Sequence, residues 1–137
     1  GNANPTALVI ANNTFQAVSA IGNPESRIIL SQCATYLASS PKSIAAYDAI
    51  NKAQQIVKET GDLPIPLSIR NAPTKLMKEL GYGDEYKYAH SYENNFTEHE
   101  FLPEEIKNTK LYNPGNNARE EAQRKYLRGL WNKKYGY

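Results

Sequence analysis

The sequence predicts an all-α, mainly helical domain interrupted by an irregular, tyrosine-rich segment at about residues 82–112. Three observations carry that reading. Apolar residues recur at 3–4 spacing through the first sixty residues and again near the end. Proline and glycine stand at the edges of those periodic stretches rather than inside them. Strand-like alternation is confined to Phe96–Phe101 and is too weak to decide between strand and loop. With 137 residues, 40% hydrophobic and 22% charged, the chain has the makings of one ordinary globular domain, residues 1–137.

Residues 1–61 read as a three-helix part. The first helix follows Pro5, with Leu8, Ala11, Phe15 and Val18 on one face, and stops at Gly22. Asn23 is placed to cap the second, with Pro24 at its first position and Glu25 near the positive end of the dipole. That helix carries Ile28, Ile29, Leu30, Cys33, Ala34, Tyr36 and Leu37, apolar around most of its circumference. Such a helix is central in its domain or covered by a partner. Ser40-Pro41 repeats the start signal; Ala46, Ile50, Ala53 and Val57 form the third stripe, with Tyr47 beside it, and Gly61 ends it. The short joints predict antiparallel neighbours.

Residues 62–137 begin with Leu63-Pro64-Ile65-Pro66-Leu67, where alternating prolines force an extended path. A short helix from about Pro73 to Leu80 stops at Gly81. From Tyr82 to Tyr112 helical periodicity vanishes, although the stretch holds five of the ten tyrosines, Phe96, Phe101 and both histidines. So long an irregular segment needs aromatic packing or another subunit to hold it. A helical turn is expected at Leu102-Pro103-Glu104-Glu105. Asn113–Asn117 is a turn, and the last helix runs from about Ala118 to Lys133, with Ala122, Tyr126 and Leu130 on one stripe and Leu127 and Trp131 beside it.

Composition excludes several classes. No apolar run approaches the ~20 residues of a membrane span, and the start lacks the basic and apolar regions of a signal peptide. The chain does not begin with Met and is expected to be part of something longer. One cysteine, Cys33, rules out an internal disulfide framework and suits a reducing compartment. The net charge of +2 is too small to mark a nucleic-acid-binding module by itself. Two glycosylation sequons, at Asn12 and Asn95, are short enough to occur by chance.

No catalytic constellation stands out. A Gly-x-x-x-x-Gly-Lys-Ser/Thr loop is absent, and Gly81-Tyr82-Gly83-Asp84 follows a helix instead of joining a strand to one. His90 and His99 lie in an acidic stretch but without the spacing of convergent metal ligands. Cys33 reads as a small inert hydrophobe, and Glu104-Glu105 as a helix start. The basic residues are more informative. Arg70, Lys75, Lys78 and Lys87 surround the fourth helix, and Arg119, Arg124, Lys125, Arg128, Lys133 and Lys134 load the last one. They suit either phosphate contact or a solvated face. The apolar and aromatic excess likewise fits either an internal core or a protein interface.

Several strings, in order, give the chain a family resemblance. Residues 71–83, Asn-Ala-Pro-Thr-Lys-Leu-Met-Lys-Glu-Leu-Gly-Tyr-Gly, followed by Tyr86-Lys-Tyr-Ala-His90, are the most distinctive. Gly1–Pro5, Pro41-Lys42-Ser43 with Ile44 in place of the usual Asn, Pro66-Leu67, Arg70 and Leu102–Glu105 accompany them. The chain resembles the C-terminal region of the RarA/MgsA group of AAA+ ATPases, replication-associated recombination proteins related to the Werner helicase-interacting protein. The likeness weakens after Pro114, and the segment from Trp131 departs from it.

The resemblance implies a fold like the collar of clamp-loader subunits and a homotetramer. It implies no catalytic residue, cofactor or metal in this stretch, since ATP and Mg belong to an ATPase core N-terminal to it. It implies a cytoplasmic, nucleoid-associated bacterial protein acting at stalled forks, DNA ends and recombination intermediates, with single-stranded-DNA-binding protein as a partner and no membrane. The primary expectation is therefore a tetramerisation module, with Ile29, Tyr36, Leu67, Leu76, Tyr82, Tyr86 and Tyr88 at the subunit interface. The alternative is a DNA-binding module, with Arg70, Lys75, Lys78, Arg119, Arg124, Lys125 and Arg128 as contacts.

Overall fold

The computed structural model describes residues 1–131 and 134–137. The fold is all-α as the sequence predicts, with no strand among the described residues. The helices are α1 (Thr6–Ile21), α2 (Ser26–Ala38), α3 (Ala45–Thr60), α4 (Lys75–Glu79) and α5 (Ala118–Trp131). Single 3-10 turns occur at Leu67–Ile69, Ala89–Ser91, Glu93–Asn95 and Glu104–Ile106, the last where Pro103 and the two glutamates predict one. Lys133, counted in the predicted last helix and its basic set, lies outside the described residues.

The chain forms two compact units, Gly1–Asn51 with Tyr112–Arg124, and Lys52–Leu111 with Lys125–Tyr137. The division falls inside α3 and α5, not at the Gly61 stop.

In the first unit α1 packs on α2. The half-buried face of α1 is Ala7, Ile10, Ala11, Thr14, Ala17 and Val18. Only Ala11 and Val18 belong to the predicted stripe; Leu8 and Phe15 are 77% and 73% exposed. The helix carries two apolar stripes, and the alanine-rich one allows the closer interaxial approach. Gly22 ends α1 at φ +73°, its N–H bonding Val18 O at 3.0 Å, a conformation that favours glycine. The predicted cap of α2 does not form. A backbone bond from Ser26 N–H to Gly22 O closes the turn, α2 begins at Ser26, and Asn23 Oδ1 accepts from Ser26 Oγ at 2.6 Å instead of from a helix N–H. Ser26 and Cys33 are buried and Ile29 and Tyr36 half-buried, on one 3–4 stripe. In α3, Ser43 Oγ accepts from Ala45 N–H at 3.2 Å. The inward stripe is Ala45, Ala49, Ala53 and Ile56; of the predicted set, Ala46, Tyr47, Ile50 and Val57 are exposed.

The second unit explains the distinctive 71–83 string as local structure. Thr74 caps α4, its hydroxyl accepting from Met77 N–H at 3.2 Å. Tyr82 N–H bonds Met77 O and Gly81 N–H bonds Lys78 O, both at 3.0 Å, with Gly81 at φ +78°. This is the Schellman pattern, and it turns the chain sharply after α4. Gly83 N–H then bonds Leu67 O at 2.8 Å, pinning the turn to the Leu67–Ile69 segment. Further on, Glu100 accepts from the N–H groups of Leu102 (2.9 Å) and Asn108 (3.0 Å) and pairs with Lys134 at 3.3 Å. Phe96 meets Trp131 edge-on at 5.0 Å, and Trp131 meets Tyr135 at 5.0 Å. These contacts hold the irregular segment without regular helix or sheet.

Candidate functional site

The second unit contains an open groove of about 940 Å³. Ile65, Leu67, Leu102 and Tyr86 supply its apolar lining, and Arg70 reaches it from behind the Leu67–Ile69 turn. The extended Pro64–Pro66 stretch exists because two prolines forbid helix there. Arg70 is latched in place. Its Nε donates to Ile65 O at 2.6 Å, its Nη1 to Tyr82 hydroxyl at 3.3 Å, and its guanidinium lies 5.1 Å over the Tyr82 ring. Ser68 Oγ lies 3.0 Å from His99 Nε2. Glutamates 85, 98, 100, 104 and 105 make the lining acidic. Burial tends to raise the Glu100 carboxyl, but its two backbone hydrogen bonds and Lys134 hold it below its ordinary value.

Sequence reasoning for interface residues thus converges on this unit for five positions. Leu67 and Tyr86 line the groove, Tyr82 meets the lining residue Arg70, and Leu76 and Tyr88 are exposed apolar positions elsewhere in the unit. Ile29 and Tyr36 lie instead in the first unit, half-buried on the Cys33 stripe of α2, where Asn4 Nδ2 donates to Tyr36 hydroxyl at 3.2 Å. The exposed apolar positions of α2 are Ile28, Leu30 and Leu37. In contrast, the buried apolar set of the whole described chain is small: Ala3, Cys33, Ala45 and Pro114.

The basic candidates separate by environment. Lys75, Lys78, Arg119 and Lys125 are exposed, although Lys75 approaches Glu79 at 3.8 Å. Arg128 is exposed, with its Nε bonded to Tyr137 O. Arg70 is latched as above. Arg124 is half-buried, donating to Asn113 Oδ1 at 3.2 Å, Gly115 O at 3.2 Å and Pro114 O, and pairing with Glu121 at 3.1 Å. Lys134 is likewise engaged, with Glu100 and with His99 O at 3.2 Å.

Arg124 belongs to a buried polar knot in the first unit that sequence reasoning missed. Asn117 Oδ1 accepts from Glu120 N–H at 3.0 Å and caps α5, while Asn117 Nδ2 donates to Glu120 Oε2. Asn117 is thus the N-cap of α5, with Glu120 turned back onto the cap's side-chain amide, and Asn-x-x-Glu before an apolar-periodic stretch is the signal that could have found it. Glu120 is fully buried (0% exposed). Tyr112 hydroxyl donates toward Glu120 Oε1 and Gln123 Oε1, each at 3.0 Å, and accepts from Asn2 Nδ2 at 3.0 Å. Burial works to raise the Glu120 carboxyl; hydrogen bonds from Ser43, Asn117, Tyr112 and Gly115 N–H outweigh it and hold the group below its ordinary value. Burial keeps the Tyr112 phenol above its ordinary value; the bond from Asn2 opposes it, the bond to Glu120 and its charge add to it, and the Arg124 charge opposes it. The knot fastens the N-terminus of α5 to the Asn113–Asn117 turn and to Ser43. It is an anchor with no open coordination position, and no cluster able to hold a metal occurs among the described residues. No helix among them is long and apolar enough to cross a membrane.

Known proteins similar in sequence identify the family. The family described as "MgsA AAA+ ATPase C terminal" matches residues 1–131. "Replication-associated recombination protein A" of Haemophilus influenzae is 43% identical over 121 residues, which is 88% of this chain and 27% of that protein. The protein of the same name in Coxiella burnetii is 41% identical over 121 residues, 88% of this chain and 28% of that protein. "ATPase WRNIP1" of Dictyostelium discoideum is 37% identical over 113 residues, 82% of this chain and 13% of that protein. The chain thus spans less than a third of these relatives. A match over residues 1–131, nearly the whole chain, places it in the MgsA AAA+ ATPase C-terminal family.

Proposed function

We propose that the chain is the homo-oligomerisation module of an AAA+ ATPase of replication-associated recombination, and that it assembles a homotetramer. The observation that supports this most is the inversion of its apolar surface. Small side chains are buried while Leu8, Phe15, Ile28, Ile65, Leu76 and Tyr88 are all more than half exposed. Covering one such side chain is worth about 1.5–3 kcal/mol, so a lone chain leaves a large driving force for association unused. The ATP and Mg site belongs to the remaining, larger part of the protein, which the module would hold in several copies at stalled forks, DNA ends and junctions. Association with single-stranded-DNA-binding protein belongs to that whole assembly.

Direct DNA binding by this chain alone is the weaker reading, because Arg70, Arg124 and Lys134 are engaged internally. Lys75, Lys78, Arg119 and Lys125 remain exposed, and weak contacts by such cations gain strength when an assembly multiplies them.

Leu67→Asp and Tyr86→Asp test the proposal. Both side chains line the groove and are about half exposed. Each variant should keep its helical circular dichroism and lose solution mass relative to the unmodified chain. Full retention of mass by both would remove the second unit from the interface.

A further inference from the structure

We infer that the groove of the second unit receives the Lys125–Gly129 face of α5 from another copy of the chain, so that copies join head to tail. The inference rests on the oligomerisation reading and specifies the two surfaces that meet.

The groove lining combines apolar Ile65, Leu67 and Tyr86 with acidic residues. Glu100 and Glu104 are neutralised by Lys134 and Lys107. Glu85, Glu98 and Glu105 have no such partner among the described residues; against these three carboxylates stand two lining cations, Lys87 and Arg70, the latter hydrogen-bonded to Ile65 O and Tyr82 hydroxyl but not ion-paired. An occupant should therefore bring an apolar or aromatic body with positive charge beside it.

The α5 side has that chemistry. Tyr126 is 68% exposed and meets no ring or hydrogen-bond partner among the described residues. Lys125 is exposed and without an ion-pair partner among them. At 100° per residue, Lys125, Tyr126 and Gly129 share one flank of the helix. Glycine weakens a helix interior, and among the described residues nothing lies within 4 Å of where a Gly129 side chain would start. It leaves flat ground beside Tyr126, over which a partner surface can close. Tyrosine anchored in a pocket, with a cation pairing at the rim, is the usual composition of a binding hot spot. The exposed Leu76 of α4 is a poorer occupant, since its neighbour Lys75 already faces Glu79 at 3.8 Å.

Because the two surfaces differ, the contact is heterologous, and such contacts close into rings when the rotation permits. It can therefore be split between two variants. Lys125→Glu with Tyr126→Glu spoils the helix face and leaves the groove intact. Ile65→Lys spoils the groove and leaves the helix face intact. Ile65 is 60% exposed, so neither variant disturbs a core. Solution masses are read by light scattering for the unmodified chain, each variant and their equimolar mixture, at a concentration where the unmodified chain is fully associated. The expected result is a single chain for each variant and a two-chain species, one of each, in the mixture. If either variant keeps the unmodified mass, or the mixture stays at single chains, the groove–helix pairing is overturned while self-association stands. If the unmodified chain is a single chain at every concentration, the oligomerisation reading itself fails.

Discussion

Removal of the Glu120 carboxylate is the sharpest probe of the first unit. Glu120→Ala deletes the acceptor of Tyr112 hydroxyl, of Asn117 Nδ2, of Ser43 hydroxyl and of Gly115 N–H. The N-cap bond from residue 120 N–H to Asn117 Oδ1 remains in the variant. Hydrogen bonds to a charged group contribute about 1.5–3 kcal/mol each. Against them stands the desolvation of a fully buried carboxylate, which alanine relieves. Breaking one partner of a buried charged network costs about 3–5 kcal/mol in total. Tyr112 is only half-buried and regains some water, so the lower end, about 3 kcal/mol, is expected. Urea titration followed by circular dichroism, at one protein concentration, should show the midpoint falling by about 1–3 M for slopes of about 1–3 kcal/mol/M. A loss below about 1 kcal/mol would mean that the knot does not anchor α5.

The same knot makes further predictions. A Cβ on Gly115 would sit 2.8 Å from Glu120 Oε2 and 3.3 Å from Ser43 Oγ, so Gly115→Ala should destabilise by about 1–3 kcal/mol in the same titration. The Glu120 and Glu100 carboxyls are held below their ordinary values. Their stabilisation is therefore full above the ordinary carboxylate range near 4.5 and is lost as pH falls through the lower folded values. Thermal melts should show stability declining from that range downward, with a shallower decline in Glu120→Gln; an unchanged slope would contradict the assignment. Thr74→Ala removes the cap of α4 and should cost about 1 kcal/mol locally, read as faster amide exchange at Met77.

How much of this was legible in the sequence depends on how local the cause is. Gly22, Gly61 and Gly81 stop α1, α3 and α4 as read, because a positive φ is a single-residue property. The Tyr82–Tyr112 segment could be marked as irregular, but not how Glu100 and Lys134 hold it, since those partners are remote in sequence. Helix faces were the main failure. α1 and α3 each carry an alanine-rich stripe beside a bulkier one, and periodicity alone cannot say which turns inward. Close packing selected the alanines, which left Leu8, Phe15, Ile50 and Val57 outside. Among the site candidates, Leu67, Arg70 and Tyr86 line one groove, with Tyr82 against Arg70, while Arg124 proves to be a structural clamp. A cation in sequence is only a charge; its task is set by carbonyls that folding brings to it.

The central claim is that this chain is built to be covered by copies of itself. The most direct measurement is its solution mass by light scattering after size exclusion, over a wide concentration range. On the proposed oligomerisation reading, a multi-chain species, a homotetramer, is expected, its population growing with concentration. A single chain at the highest concentration reached would contradict it.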